Sequence, residues 1–179
     1  MEEKKVFNAG PLGLMAFGLT TILLNLHNAG ITEMSVVIVG MGIFLGGLAQ
    51  IVAGLLSFKS NNTFAGTAFT AFGFFWLSLV YIWNNGGADL KSMGFYLLLW
   101  GIFTTFMAIG TRHHTLVSKL VFSSLALLFY LLAIGDFTGI TLITRIGGVV
   151  GIISGLLALY DSVAQIVNSE LEKEVLPLG

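Results

Sequence analysis

The chain has 179 residues, of which 56% are hydrophobic and only 9% are charged, and its mean hydropathy is +0.94. This composition excludes a soluble globular protein, because a soluble core of this size needs more polar surface to cover it. The net charge of −1 says nothing about partners and gives no reason to expect nucleic acid, and the lack of cysteine excludes disulfides and thiol chemistry.

Six apolar segments are each long enough to cross a lipid bilayer, since a transmembrane helix needs about 20 mostly apolar residues. They lie at about 12–29, 34–57, 63–83, 92–110, 115–135 and 142–160. We therefore predict an all-α integral membrane protein, a single transmembrane domain with six transmembrane helices per protomer. Asp161 is interpreted as the boundary of the last span and is given no role.

The first segment opens with the sequence NAGPLGLMAFG at residues 8–18. Pro11 has no N–H and a fixed φ, so it suits the first turn of a helix, and the glycines around it leave backbone N–H groups uncovered. Together with the amide of Asn8, the positive end of this helix is able to hold a carboxylate. The alternative is a simple helix start with proline in its first turn.

Glycines at helical spacing distinguish the second segment, with Gly42 and Gly46, and the sixth, with Gly147, Gly151 and Gly155. A glycine face lets helix backbones approach each other closely. We expect this packing inside one protomer, and contact between subunits is the alternative.

The first, third and fifth segments instead carry neutral polar side chains, which are costly in hydrocarbon unless they find partners or face a wet cavity. Their concentration on these segments predicts a polar lining for a path through the protein. A hydroxyl that bonds its own helix one turn back is the alternative at each position. The side chains assigned to the path are Thr20, Thr21, Asn25, Thr70 and Ser124.

Three bulky apolar residues lie at one depth in these same segments. Counted from polar entries at positions 8, 62 and 115, a rise of 1.5 Å per residue places Phe17, Phe72 and Leu125 about 15 Å deep, near the middle of a core about 30 Å thick. An apolar ring at this level is able to close a pore by dewetting. Ordinary packing or lipid-facing positions are the alternative.

Lysine and arginine are unevenly distributed between the two sides of the membrane. The N-terminal segment, the loops after the second and fourth spans and the C-terminal tail hold six, against two, Lys91 and Arg145, in the other loops. The positive-inside rule therefore predicts cytoplasmic N- and C-termini. Residues 161–179 are predicted to form an amphipathic cytoplasmic tail that continues the last helix. The six basic residues are Lys4, Lys5, Lys59, Arg112, Lys119 and Lys173.

The sequence NAGPLGLMAFGLTTILLNLHNAG at residues 8–30 resembles the signature and first helix of the acetate uptake transporter family. MGIFLGGLAQIVAGLL (41–56), NTFAGTAFTAFGFFW (62–76), LWGIFTTFM (99–107) and VLPLG (175–179) extend the resemblance over nearly the whole chain. It implies a six-helix protomer, usually assembled as a homo-hexamer in the cell membrane, with a path for acetate and other small carboxylates, succinate among them, through each protomer.

The resemblance also assigns the hydrophobic constriction of the family to Phe17, Phe72 and Leu125. Two positions depart from the family pattern. Asn8-Ala9-Gly10-Pro11 lacks the first proline of the signature, and Phe72 stands where relatives commonly have tyrosine, so a hydroxyl is missing from the constriction.

The residues leave two mechanisms of transport open, an anion channel and a proton-coupled carrier. An aquaporin-like channel for small neutral solutes is one alternative, but the two Asn-Pro-Ala motifs that it requires are absent from the sequence. A non-transporting membrane scaffold is another. We expect no enzymatic activity, no metal and no cofactor.

Overall fold

The computed structural model describes residues 7–179, which form six long helices. Each is long and apolar enough to cross a membrane, and no β-strand occurs within the described range, so the prediction of an all-α protein with six spans is confirmed. Lys4 and Lys5 lie outside the described residues. The helices are α1 (Gly10–Asn28), α2 (Val36–Lys59), α3 (Thr63–Asn84), α4 (Leu90–Gly110), α5 (Leu116–Thr138) and α6 (Thr141–Glu170).

Polar side chains cap the first turns of three helices, where backbone N–H groups have no partner inside the helix. Asn62 accepts a hydrogen bond from the N–H of Ala65 at the start of α3, and Thr115 accepts one from Ser118 at the start of α5. Asp89 caps α4 in the same way, and the hydrogen bonds from Ser92 hold the pKa of its carboxyl below the ordinary value. These caps begin each helix at the edge of its apolar segment.

The second helix contains a π-helical segment, Gly42–Ala49. Such widened turns are rare and frequently occur at functional sites. Its glycines allow a close approach by the neighbouring helices: a Cβ added at Gly46 would lie 2.7 Å from Cγ of Trp76 and 2.9 Å from Cγ2 of Thr20. The π segment ends directly before Gln50, the only glutamine in the span.

Glycine contacts inside the protomer hold the helices in two tightly packed pairs. A Cβ at Gly18 of α1 would lie 2.8 Å from the carbonyl oxygen of Gly155 on α6. A Cβ at Gly73 of α3 would lie 2.9 Å from the carbonyl oxygen of Gly47 on α2. Gly18 and Gly73 end the similar sequences MAFG and TAFG, so the two sequences occupy similar places in the fold.

The remaining contacts close the helices into a ring. α1 packs on α2 and α6, and α5 packs on α6 and α4. Between α3 and α4 the contact is made by side chains: Tyr96 bonds through its hydroxyl to the hydroxyl of Ser78 at 2.7 Å, and its ring stacks on Phe75 at a centroid distance of 5.7 Å. The centre of the bundle is therefore enclosed on all sides.

The last helix continues past the predicted span, as expected for residues 161–170, but it ends at Glu170. Residues 171–179 fold back along the bundle instead of continuing the helix. The side chain of Asn168 causes this reversal, because its amide oxygen accepts the N–H groups of Val175 and Leu176. The carbonyl oxygen of Gly179 then accepts the N–H of Leu116, at 3.0 Å, at the start of α5.

We call the end of the bundle that holds residues 7–9, the loop at 60–62 and residues 171–179 the terminal end. Ser60 donates a hydrogen bond to the carbonyl oxygen of Phe7 there, at 2.9 Å. Both described termini of the chain thus lie at one end of the bundle.

Candidate functional site

Three cavities follow one another through the bundle. The Asn8 cavity, of about 150 Å³, lies at the terminal end and is lined by Asn8, Asn62, Ser118 and Asp161 among others. The Asp136 cavity, of about 170 Å³, lies towards the opposite end. A middle cavity of about 20 Å³ lies between them and shares wall residues with both: it is lined by Leu14, Phe17, Gln50, Ala68, Phe69, Phe72, Val121, Phe122 and Leu125.

Phe17, Phe72 and Leu125 line both the middle cavity and the Asp136 cavity, so they form the wall between them. They come from α1, α3 and α5, and each is at most 6% exposed. The ring centroids of Phe17 and Phe72 are 6.3 Å apart. A cavity of 20 Å³ holds about one water molecule, so a carboxylate does not fit at this level.

The ring of Phe72 is the most constrained member of this wall. It contacts Trp100 and Phe103, both at a centroid distance of 5.8 Å, and it stacks on Phe129 at 6.4 Å. Edge-to-face and stacked arrangements of this kind add to the stability from burial alone. The packing therefore leaves Phe17 and Leu125 as the members with fewer aromatic contacts.

Polar groups lie beside this wall in the Asp136 cavity. Asn25 is 1% exposed and donates to the carbonyl oxygen of Thr21, while its own amide oxygen accepts from Asn28. The Thr21 hydroxyl and the indole N–H of Trp76 are buried without a hydrogen-bond partner. An unpaired buried donor is costly, so these two groups are candidates for contact with a ligand.

Three hydroxyls that the sequence assigned to the path lie outside the walls of these three cavities. Thr20 and Ser124 donate to carbonyl oxygens one turn back on their own helices, at 2.8 and 2.7 Å. Thr70 lies against Gly54, where α3 contacts α2. The bonds of Thr20 and Ser124 correspond to the alternative of a hydroxyl bonded to its own helix. The hydroxyl of Thr70 is buried without a hydrogen-bond partner.

The start of α1 corrects the expectation of a row of free N–H groups. The N–H of Gly10 is already bonded to the amide oxygen of Asn8, at 2.9 Å. Pro11 lies in the first turn, as predicted, but its carbonyl oxygen accepts from Ser162 on α6, and it does not line the Asn8 cavity. The polar group of this motif that lines the cavity is the amide of Asn8, whose nitrogen donates to Gln165 at 3.0 Å.

Asp161 was interpreted from the sequence as a boundary residue, but the structure buries it in the wall of the Asn8 cavity, 1% exposed. Its two carboxylate oxygens accept hydrogen bonds from Ser118, at 2.8 Å, and from Gln165, at 2.9 Å. Since Gln165 also accepts from Asn8, a continuous chain of hydrogen bonds joins the buried carboxylate to the mouth of the cavity. The spacing of Asp161 and Gln165 by one helical turn is the only sign of it in the sequence.

Gln50 is the second residue that the sequence analysis missed. It is 1% exposed and is the only polar side chain in the wall of the middle cavity, and its amide oxygen has no hydrogen-bond partner. A single amide in an otherwise apolar stretch, LAQIVAG, is the signal that identifies it.

Comparisons with known proteins agree with this architecture. Residues 1–178 match the model of the GPR1/FUN34/yaaH family. The succinate-acetate/proton symporter SatP of Escherichia coli is 46% identical over all of this chain and 98% of its own, and acetate permease A of Emericella nidulans is 30% identical over all of this chain and 68% of its own. The solved structure of the bacterial acetate channel SatP superimposes with a TM-score of 0.96 at 48% identity, covering 98% of this chain and all of that one.

These relatives are transporters or channels, and the six apolar helices make this chain a multi-pass membrane protein. With a family match over nearly its whole length and a relative at 46% identity, the chain belongs to the GPR1/FUN34/yaaH family.

Proposed function

We propose that this protein transports acetate and related short carboxylates across the cytoplasmic membrane, through a path inside each protomer. The observation that carries the proposal is the line of three cavities interrupted by Phe17, Phe72 and Leu125. The names of the relatives, a succinate-acetate/proton symporter, an acetate permease and an acetate channel, supply the substrate class.

The terminal end faces the cytoplasm in this proposal. Lys59, Arg112 and Lys119 lie at that end of the helices, and Lys173 lies in the segment that folds back there. In the part of the chain that the structure describes, the opposite end carries only two such residues, Lys91 and Arg145, near the starts of α4 and α6. The positive-inside rule then makes the Asn8 cavity the cytoplasmic entry and the Asp136 cavity the outer one.

Each predicted residue receives a role that follows from its place. Asn8 offers an amide N–H to a carboxylate at the cytoplasmic mouth, and Thr21 and Asn25 provide polar contacts in the Asp136 cavity. Phe17, Phe72 and Leu125 form the constriction. The side chains of Asn8, Thr21 and Asn25 carry no charge, so they bind an anion weakly enough to release it again.

The remaining residues assigned to the path support its walls. The carbonyl oxygen of Pro11 accepts a hydrogen bond from α6, Thr20 and Ser124 bond to their own helices, and Thr70 packs against Gly54, all outside the three cavities. The role we assign to them is structural.

The family resemblance supports a homo-hexamer as the assembly. Large apolar side chains cover the outside of the single chain, including Phe44, Leu99 and Phe106, each at least 64% exposed. Such a surface needs lipid or neighbouring protomers to cover it. Native mass spectrometry of the purified protein tests this, with a mass of six chains as the expected result.

Flux of labelled acetate into proteoliposomes tests the transport proposal. The protein-dependent flux is the excess over protein-free vesicles, which corrects for the passive leak of acetic acid. Leu125→Trp fills the constriction and is expected to abolish the excess, whereas Leu127→Trp, on the same helix but 49% exposed on the outside, is expected to keep it. Wild-type protein that moves acetate no faster than empty vesicles would refute the proposal.

A further inference from the structure

The Asn8 cavity contains a feature that the proposed function leaves unexplained: a buried carboxylate in the path of an anion. Among residues 7–179, only Asp161 and His114 are titratable members of the wall of this cavity. A substrate anion about 6 Å from an ionised carboxylate, at an effective dielectric constant of about 20, is bound about 100-fold more weakly than without that charge.

The apolar wall of the middle cavity disfavours a charged substrate. None of its wall residues is ionisable, and Gln50 is the only polar one. Desolvating an ionised carboxylate there is far more costly than desolvating the neutral acid. The amide oxygen of Gln50 has no hydrogen-bond partner, so it is able to accept the O–H of a carboxylic acid.

On the basis of the proposed function, we propose that Asp161 exchanges a proton with the substrate in the Asn8 cavity, so that the substrate enters the constriction as the neutral carboxylic acid. In this step the O–H bond of the Asp161 carboxyl breaks and an O–H bond forms on the substrate carboxylate. The products are the Asp161 carboxylate and the undissociated acid, and no other reactant is needed. The transfer is reversible, because the reverse step breaks the O–H bond of the acid and forms that of Asp161 again.

The surroundings of Asp161 are suited to this exchange. Ser118 and Gln165 each donate one hydrogen bond to its carboxylate, so the ionised form left after transfer is stabilised. The chain through Gln165 to Asn8 ends at the mouth of the cavity, where Asn8 is exposed and protons are available from water.

Few other charges face this carboxyl. His114 lines the same cavity, from the loop before α5. Lys59, Lys119 and the C-terminal carboxylate of Gly179 lie at the same end of the bundle without lining the cavity, and α1 carries no acidic or basic side chain apart from His27, at its far end. Within the described part of the chain, Asp161 is therefore the only acidic side chain in the cavity wall.

Proteoliposomes with a membrane potential clamped by potassium and valinomycin test the proposal. We expect the rate of wild-type acetate uptake to rise about tenfold for each pH unit of inward proton gradient. The rate should not depend on the imposed membrane potential, because the step is electroneutral. Asp161→Asn retains the shape of the side chain but cannot exchange the proton. Its remaining uptake should lose the proton-gradient acceleration and respond to potential.

Asp89→Asn is the matched control, since it makes the same chemical change in an exposed carboxyl that lines none of the three cavities. It is expected to keep the coupling of wild type, and equal loss of coupling in both variants would overturn the assignment to Asp161. A wild-type uptake rate that depends on the membrane potential but not on the proton gradient would also overturn the proton exchange. It would not contradict the proposed transport of acetate. Uptake no faster than in empty vesicles would instead refute the proposed function.

Ser118→Ala provides a second test that does not depend on the folding of Asp161→Asn. It removes one hydrogen bond to the ionised form and leaves the carboxyl in place. The midpoint of the pH profile of uptake, relative to wild type, should move upwards by about one pH unit. An unmoved midpoint in well-folded protein would show that the exchanging group lies elsewhere.

Discussion

Widening the constriction by Leu125→Ala should change which carboxylates pass more than how fast acetate passes. Leu125 is 3% exposed and lines both the middle cavity and the Asp136 cavity. The substitution removes three carbon atoms from a place where the open space is about 20 Å³, close to the volume that holds one water molecule. The gain is therefore comparable in size to a small carboxylate.

The expected magnitude follows from the value of a methylene group in an apolar pocket, about 1–3 kcal/mol or 10- to 200-fold in discrimination. We expect the ratio of succinate to acetate flux to rise at least about tenfold in Leu125→Ala. Competition uptake of the two labelled substrates in the same proteoliposomes measures this ratio directly. Differences in the amount of active protein cancel from it.

Leu127→Ala serves as the matched control for this experiment. Leu127 lies on the same helix and loses the same atoms, but it is 49% exposed on the outside of the bundle. Its flux ratio should equal that of wild type. If Leu125→Ala remains folded but changes the fluxes of acetate and succinate by the same factor, Leu125 supports packing and does not select substrates.

Three other variants test separate parts of the path and the fold. Asn8→Asp should reduce acetate flux about fivefold more than Asn8→Ala, by repulsion at the mouth, and the defect should shrink as the pH falls towards protonation of the new carboxyl; unchanged flux in both variants removes Asn8 from the path. Phe72→Tyr adds a hydroxyl to the constriction and should raise the succinate-to-acetate ratio by about two- to tenfold, whereas an unchanged ratio shows that the hydroxyl does not contact the substrate. Gly155→Ala places a methyl group 2.8 Å from the carbonyl oxygen of Gly18 and should lower the melting temperature of the protein in detergent. Gly40→Ala, where an added Cβ has no neighbour within 4 Å, should not lower it. Equal melting temperatures of the two variants would argue against the close α1–α6 contact.

Depth along a helix was predictable from the sequence, but rotation about its axis was not. The six spans follow from hydropathy, and the shared level of Phe17, Phe72 and Leu125 follows from a fixed rise per residue. Thr20 and Thr21 are neighbours at nearly the same depth, yet Thr20 is bonded within the helix packing while Thr21 lines the Asp136 cavity. In a chain that is apolar all round, no amphipathic pattern tells the two faces apart.

The buried groups of the path escaped prediction for a different reason. Asp161 is bonded to Ser118, which lies 43 residues earlier on another helix, so the pair exists only in the folded bundle. Gln50 follows a π-helical segment whose widened turns alter the rotation of the rest of α2, and glycine content alone does not predict such a segment. Pairing and local winding of this kind arise from tertiary packing.

In the proposed function, the same packing limits how the constriction formed by Phe17, Phe72 and Leu125 is able to open. Gly18 and Gly73 directly follow Phe17 and Phe72, and at each a neighbouring backbone lies too close to admit even a Cβ, so α1 and α3 have no room to slide against α6 and α2. Opening by movement of whole helices would break both contacts at once. Rotation of the Phe17 and Leu125 side chains breaks neither, and it opens only the width of a side chain. A path opened in this way admits small carboxylates and excludes larger ones, which connects the glycine contacts of the fold to the substrate size of the proposed function.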